Sequence, residues 1–238
     1  MYGVDLYGKR KLCDILLELT QIKEFTRIRM LYLYPDKITD ELIDLIAKED
    51  QIIPYIEMPV QHSEGSVLRR MNRPGDRASL LALIEKLRAR LPEAVLRTTL
   101  MVGFPGETEE EFAGLVEFVK SARFDRLGVF TYSAEEGTTA AEFDGQIDEQ
   151  TKTRRAEIVE DVQADIVYDK LENAIGKEIT VLCEGFDRVA ECNFGRSYGE
   201  APDIDGKIFF TGKAAAGSFV KVRITELLDF DMIGEMIK

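Results

Sequence analysis

Three short stretches set polar residues or glycines directly behind runs of strand character. They are Pro59-Val60-Gln61-His62, then Gly103-Phe104-Pro105-Gly106-Glu107-Thr108, then Tyr132-Ser133 with Glu135-Glu136-Gly137-Thr138 behind it. In parallel α/β folds, ligands meet the loops at the C-terminal ends of the strands. Parallel strands would therefore bring all three clusters to one mouth. The Gly103–Gly106 loop lets a ligand approach the backbone, with amide donors from a helix start behind it; a plain β–α turn uses the same residues. His62 is the only histidine, and a lone histidine at a strand end is more often structural than catalytic. Arg97 and Thr99 lie two apart, so both point to one face of their strand. If that face is interior, Arg97 is a buried cation that needs an anion. A bound carboxylate or Glu57 would each serve. Arg69, Arg70, Arg73 and Arg77 form either a solvated helix face or a contact for an anionic group.

The elements that must position these residues alternate. Leu12, Ile15, Leu16 and Leu19 carry a helical period. Residues 27–34 read as a strand stopped by Pro35, and a helix with Leu42, Ile43, Leu45 and Ile46 follows. Residues 53–60, 95–103 and 126–132 read as three further strands. Asp76 can cap the helix carrying Leu80, Leu83, Ile84 and Leu87, and Thr108 with Glu111 forms a T-x-x-E capping box. Repeated strand–helix units imply a parallel sheet with crossover helices. A long helix spans about 149–175, with Ile158, Val162, Ile166 and Val167 on one side. Beyond Gly176, short alternating strands broken by glycines imply a small antiparallel barrel or sandwich. The boundary falls there, giving an α/β domain over 1–176 and a β domain over 177–238.

Composition narrows the function. The 238 residues are 45% hydrophobic with 7 Pro, which is a folded chain. There is no apolar run long enough to span a bilayer and no signal-peptide pattern at the start. The net charge is −13, which disfavours generic nucleic-acid binding and suits a basic partner. Residues 177–238 hold 8 Lys and Arg against 11 Asp and Glu, a net −3 that leaves −10 to residues 1–176. Cys13, Cys183 and Cys192 match no disulfide, zinc or iron–sulfur spacing, so a cytoplasmic, reducing setting is expected.

Residues 59–74 (PVQHSEGSVLRRMNRP), 97–108 (RTTLMVGFPGET) and 128–138 (GVFTYSAEEGT) resemble, in order and spacing, the radical-SAM methylthiotransferases. Residues 195–210 (GRSYGEAPDIDGKIFF) and 229–237 (DFDMIGEMI) resemble that family's TRAM domain. The resemblance implies a partial parallel (β/α) barrel, with about four strands left, followed by a TRAM β-barrel. It implies S-adenosylmethionine and 4Fe-4S clusters as the full-length cofactors, with Gln61, Arg97, Thr99, Gly103 and Tyr132 at cofactor-binding strand ends. His62, Glu135, Glu136 and Arg196 are substrate-side candidates. Glu135, where the tRNA-modifying branch usually has arginine, and the run from Arg196 to Gly206 favour the RimO branch, which acts on an aspartate of ribosomal small-subunit protein twelve. The alternatives are the tRNA-adenosine branch and a non-catalytic module that binds the ribosomal protein. No C-x-x-x-C-x-x-C motif occurs, so this chain alone is expected to hold no cluster and to be inactive, as if cut from a longer one. RNA binding is disfavoured on charge, no membrane is implied, and the edge at 27–34 is expected to promote self-association.

Overall fold

The computed structural model describes residues 2–237, which divide into two compact units, Met1–Ala164 and Asp165–Lys238. In the first unit, helices α1 (Val4–Tyr7), α2 (Leu12–Leu19) and α3 (Asp40–Lys48) precede a parallel three-stranded sheet. Its strands are β1 (Tyr55–Glu57), β2 (Val95–Val102) and β3 (Arg126–Thr131), in that order. Helices α4 (Gly65–Arg70) and α5 (Arg77–Arg90) connect β1 to β2, and α6 (Glu109–Ala122) connects β2 to β3. Both expected helix starts form as full capping boxes. Asp76 accepts from Ser79 N–H at 2.8 Å, and Thr108 accepts from Glu111 N–H at 3.1 Å. Each contributes about 1 kcal/mol and fixes where its preceding loop ends.

Along β2 burial alternates. Leu96, Thr98, Leu100 and Val102 are buried on one face, while Arg97, Thr99 and Met101 are half-buried on the other. The first face meets the apolar core, with α6 burying Phe112, Leu115, Phe118 and Val119 and α5 burying Leu80, Ile84 and Leu87.

The expected first strand, 27–34, does not enter the sheet as a ladder. It touches it through a parallel bridge of Ile28 with Ile52 and a bond from Leu33 N–H to Glu57 O at 2.8 Å. Tyr32, at φ 59°, turns the backbone out of register between them. The expected strand 53–60 is likewise reduced to 55–57. Pro59 has no N–H to give, and the Thr98 hydroxyl bridges instead, donating to Met58 O at 2.9 Å and accepting from Val60 N–H at 3.3 Å.

Helix α7 (Glu149–Glu172) buries only part of the expected stripe, with Ile166 buried and Val167 half-buried. Ile158 and Val162 are half-buried, and the fully buried positions include Lys152, Arg155, Val159 and Gln163. Three of those four carry polar groups. Each must therefore find a partner inside, and Gln163 does so by donating to Phe124 O at 3.0 Å.

The second unit is a closed barrel of β4 (Glu178–Asp187), β5 (Cys192–Arg196), β6 (Ile208–Thr211), β7 (Phe219–Leu228) and β8 (Asp231–Met236), ordered β4-β5-β6-β8-β7. A closed ring with an odd number of strands cannot be antiparallel throughout. The parallel pair here is β6 with β8, and the other four pairs are antiparallel as expected. Val181, Cys183, Ile208, Phe210, Val222 and Ile224 fill the core.

Candidate ligand site at the strand ends

The site begins where β1 runs out. Gln61 sits at φ 69°, and His62 N–H donates to Val60 O at 2.9 Å across it. A two-residue hydrogen bond around a positive φ is the rare, strained form of the γ-turn. The neighbouring strand holds it from the side. Gln61 N–H donates to Thr99 O at 2.9 Å, and Gln61 O accepts from Met101 N–H at 2.7 Å. The main chain of Gln61 is thus fully satisfied, and its side chain is half-buried.

Gly103 ends β2 with φ +75°. A Cβ there would stand 2.3 Å from Lys152 Cγ, so the stem of Lys152 occupies the space that a side chain would take. Gly103 N–H donates to Glu107 Oε2 at 2.8 Å. The Glu107 carboxylate is fully buried, and its Oε1 accepts from Arg155 Nη1 at 2.8 Å. His62 is fully buried as well, with Nδ1 accepting from Glu64 N–H at 3.0 Å. Its lone ring proton therefore belongs on Nε2, which faces Glu107 Oε2 at 3.6 Å. Lys152 and Arg155 adjoin this site although the sequence did not single them out, and Glu107 entered only as part of the Gly103–Thr108 run. The signal available was a cationic residue at two inward positions of α7.

Arg97 and Thr99 share the half-buried face of β2, as their spacing requires. Arg97 stands opposite Glu57 on β1 and Arg126 on β3, and its Nη1 donates to the Tyr55 hydroxyl at 3.3 Å. Tyr132, just past β3, is 6% exposed in a cluster with Val67 and Phe104, and meets the Phe104 ring edge-on at 5.2 Å. Its hydroxyl is buried with no hydrogen-bond partner among the described residues. The Lys152 ammonium lies 5.5 Å from the Tyr132 ring.

The remaining candidates fall elsewhere. Burial withholds the His62 imidazole from a substrate in this conformation. Glu135 and Glu136 are exposed on a turn closed by Thr138, whose hydroxyl donates to Glu135 O at 2.8 Å. Arg196 belongs to the second unit, pairs with Glu184 at 2.8 Å and lines a small cleft of about 150 Å³ with Phe194, Asp203 and Lys207. The arginine cluster after β1 is largely tied down. Arg70 pairs with Glu111 at 3.1 Å, Arg77 with Glu64 at 2.6 Å, and Arg73 donates to Pro59 O at 2.6 Å. Burial alone would push the Glu111 carboxyl up. Hydrogen bonds from the Ser66 hydroxyl, Thr108 N–H and Arg70 overrule it and hold the carboxyl at about 2, below its ordinary 4.5.

Gln61 and Thr99 adjoin near the strand ends, whereas Arg97 lies upstream, opposite the first residue of β3, with its guanidinium on the Tyr55 hydroxyl. The donors present do not fit an iron–sulfur cluster. Among the described residues no three His, Cys, Asp or Glu side chains converge as metal ligands, and Cys13 lies in one unit while Cys183 and Cys192 lie in the other.

Comparison with known proteins agrees with this architecture. Residues 2–119 match the model of the Radical SAM superfamily, and residues 175–237 match that of the TRAM domain. The ribosomal protein uS12 methylthiotransferase RimO of Caldanaerobacter subterraneus subsp. tengcongensis is 46% identical over 236 residues, 98% of this chain and 53% of that protein. The protein of the same name from Pelotomaculum thermopropionicum is 46% identical over 239 residues, 99% of this chain and 54% of that protein. That from Geobacter sulfurreducens is 44% identical, over 99% and 53% respectively. The chain spans about half the length of the curated relatives it matches. With its superfamily sheet, its TRAM barrel and an identity that runs from one end to the other, the chain belongs to the radical-SAM methylthiotransferase family.

Proposed function

We propose that this chain is the sheet-and-TRAM portion of a methylthiotransferase acting on an aspartate of ribosomal protein uS12. In this reading the strand ends of the first unit hold S-adenosylmethionine and the barrel docks the protein substrate. The observation that carries the first half is the Gln61 turn, a strained backbone kept at the C-terminal end of a parallel sheet beside Thr99 and Met101. Strain of this kind costs on the order of 1–3 kcal/mol and persists where the surroundings over-determine it, typically at binding sites. Arg97 is suited to the ligand's carboxylate, Gln61 and Thr99 to its hydroxyls and ring edges. When bound with a cluster, S-adenosylmethionine supplies the radical chemistry of the superfamily. The cluster's ligands are not among these residues, so this chain alone is expected to be inactive.

The second half rests on charge. A barrel of net −3 repels a polyanion and tolerates a basic ribosomal protein. No helix among the described residues is long and apolar enough to cross a membrane, and the cysteines are free, which suits a reducing cytoplasmic setting. The exposed Leu31, Tyr32 and Tyr34 beside an incomplete edge are expected to promote self-association at high concentration, read as a concentration-dependent elution volume.

Calorimetry of the purified chain tests the assignment. Titrated uS12 should bind and titrated tRNA should not; binding of tRNA with no binding of uS12 overturns the reading. S-adenosylmethionine should bind no tighter than millimolar. A charge-assisted bond from Arg97 contributes roughly 1.5–3 kcal/mol, whereas millimolar affinity already needs about 4. Micromolar binding would refute the expectation that the metal supplies the remainder.

A further inference from the structure

The Gln61 turn and the Gly103 turn are both left-handed, both at strand ends, and both joined to one buried carboxylate. We propose that Glu107 is the hub of a positioning device. Acting through His62 and Gly103 and anchored by Arg155, it holds these two turns in the conformations that shape the mouth of the sheet. The functional meaning of this device rests on the reading that the mouth receives an adenosyl ligand; its existence does not.

The atoms divide the work without overlap. Glu107 Oε2 takes the Gly103 N–H at 2.8 Å and faces His62 Nε2 at 3.6 Å, while Oε1 takes Arg155 Nη1 at 2.8 Å. At 3.6 Å the imidazole contact is electrostatic, not a hydrogen bond, and Nε2 has no other partner among the described residues. His62 follows Gln61 directly, and its own N–H closes the γ-turn onto Val60 O. Fixing the ring therefore fixes the peptide that the strained turn depends on. Arg155 comes from α7, 48 residues along the chain, and its Nη2 also reaches Glu109 at 2.5 Å.

Stability alone does not account for this arrangement. A buried ion pair is often no better than a well-packed apolar pair of the same volume, and three of the four inward positions of β2 are apolar. What the pair adds is placement, since one carboxylate joins the end of β1, the end of β2 and the start of α7. None of the three residues touches the ligand in this scheme. They are positioning residues, and Gln61 is what they position.

A double-mutant cycle on this chain decides the matter, with unfolding in urea followed through resonances of the first unit. Glu107→Gln keeps the shape and an acceptor for Gly103 while removing the charge. It should shift the unfolding equilibrium about tenfold to a hundredfold. Glycine adopts positive φ without strain, so Gln61→Gly should be close to neutral and should remove the need for the hub. In the Gln61→Gly background the effect of Glu107→Gln should shrink by about threefold or more. An additive cycle, with each substitution acting as if the other were absent, overturns the proposal. If Glu107→Gln does not fold, Arg155→Lys takes its place, keeping the charge but losing the second nitrogen, with coupling of the same sign expected and additivity again decisive. Titrating millimolar S-adenosylmethionine while following the Gln61 and Gly103 amides keeps the two readings apart. A coupled cycle with unmoved amides removes the adenosyl ligand and leaves the hub, whereas an additive cycle removes the hub whatever the amides do.

Discussion

The two units solve the same problem, pairing every buried polar group, to different degrees. In the barrel each strand has two neighbours, and glycines let backbones meet, as where Gly195 lies against Leu182 O. Among the described residues, the buried side-chain atoms left without a hydrogen-bond partner all lie in the first unit. His62 Nε2, Tyr132 Oη and Arg155 Nε stand among them, at or behind the strand ends, next to the strained turn at Gln61. Native structures keep such exceptions few, and where local rules are broken the break tends to mark a functional site. The barrel is organised as a satisfied scaffold. The strand ends are organised around position at some cost in stability.

The largest test of that contrast is Arg155→Ala. It leaves Glu107 buried without its cation, a change that costs about 3–5 kcal/mol. Urea unfolding monitored on first-unit resonances should show the full loss there, with the barrel resonances melting unchanged. A loss under about 1 kcal/mol would mean the carboxylate finds water or another partner, and the contrast between the units would weaken.

Two glycines sharpen it next. Gly195→Ala puts a Cβ 2.0 Å from the Leu182 carbonyl oxygen, which belongs to the paired strand and cannot move without opening the ladder. Roughly 2–3 kcal/mol should be lost from the barrel, at the upper end of overpacking costs. Gly103→Ala meets the stem of Lys152, a side chain and not a paired backbone, and adds the strain of positive φ. About 1–2 kcal/mol is expected, and thermal melts of the two variants should rank in that order.

How much of this was legible in the sequence depends on how far apart the partners lie. The capping boxes at Asp76 and Thr108 are local and form as read. The alternation of Arg97 and Thr99 against Leu96, Thr98 and Leu100 is also local, and β2 follows it. Residues 27–34 have strand composition, yet one left-handed residue, Tyr32, decides the outcome, and nothing in a tyrosine announces positive φ. The hub was hidden for a related reason. Glu107 meets Arg155 across 48 residues, and the long helix was read from its apolar positions when half of its buried positions, Lys152, Arg155 and Gln163, are polar. Only a partner that the fold brings in makes such a stripe tenable.

Acid should expose a smaller difference. The Glu111 carboxyl is held at about 2 in the folded chain and titrates near 4.5 when unfolded. A lowered folded value means that the unfolded state binds the proton first. Its contribution is thus complete above about pH 4.5 and fades as pH falls toward 2. Because the Arg70 side of the pair is partly open to solvent, about 1 kcal/mol is a fair magnitude. Glu111→Gln should flatten the stability of the first unit across that window, and an unaltered slope would assign the acid loss to other carboxylates.

The smallest effect is expected on the barrel's surface, where Arg223 on β7 reaches Glu178 on β4 at 2.7 Å, directly opposite in register. Both side chains are about half exposed, at 54% and 45%. Water screens such a pair, and holding two long side chains in one geometry costs entropy, so the coupling should be only about 0.2–1 kcal/mol. A cycle of Arg223→Ala and Glu178→Ala, repeated at high salt, should show that coupling fall further. The same manipulation applied to Arg155 and Glu107 should barely respond to salt, because bulk ions do not reach a fully buried pair. Equal salt sensitivity at both sites would mean that the strand-end carboxylate is solvated in solution, and the distinction between a satisfied scaffold and a positioned mouth would not hold.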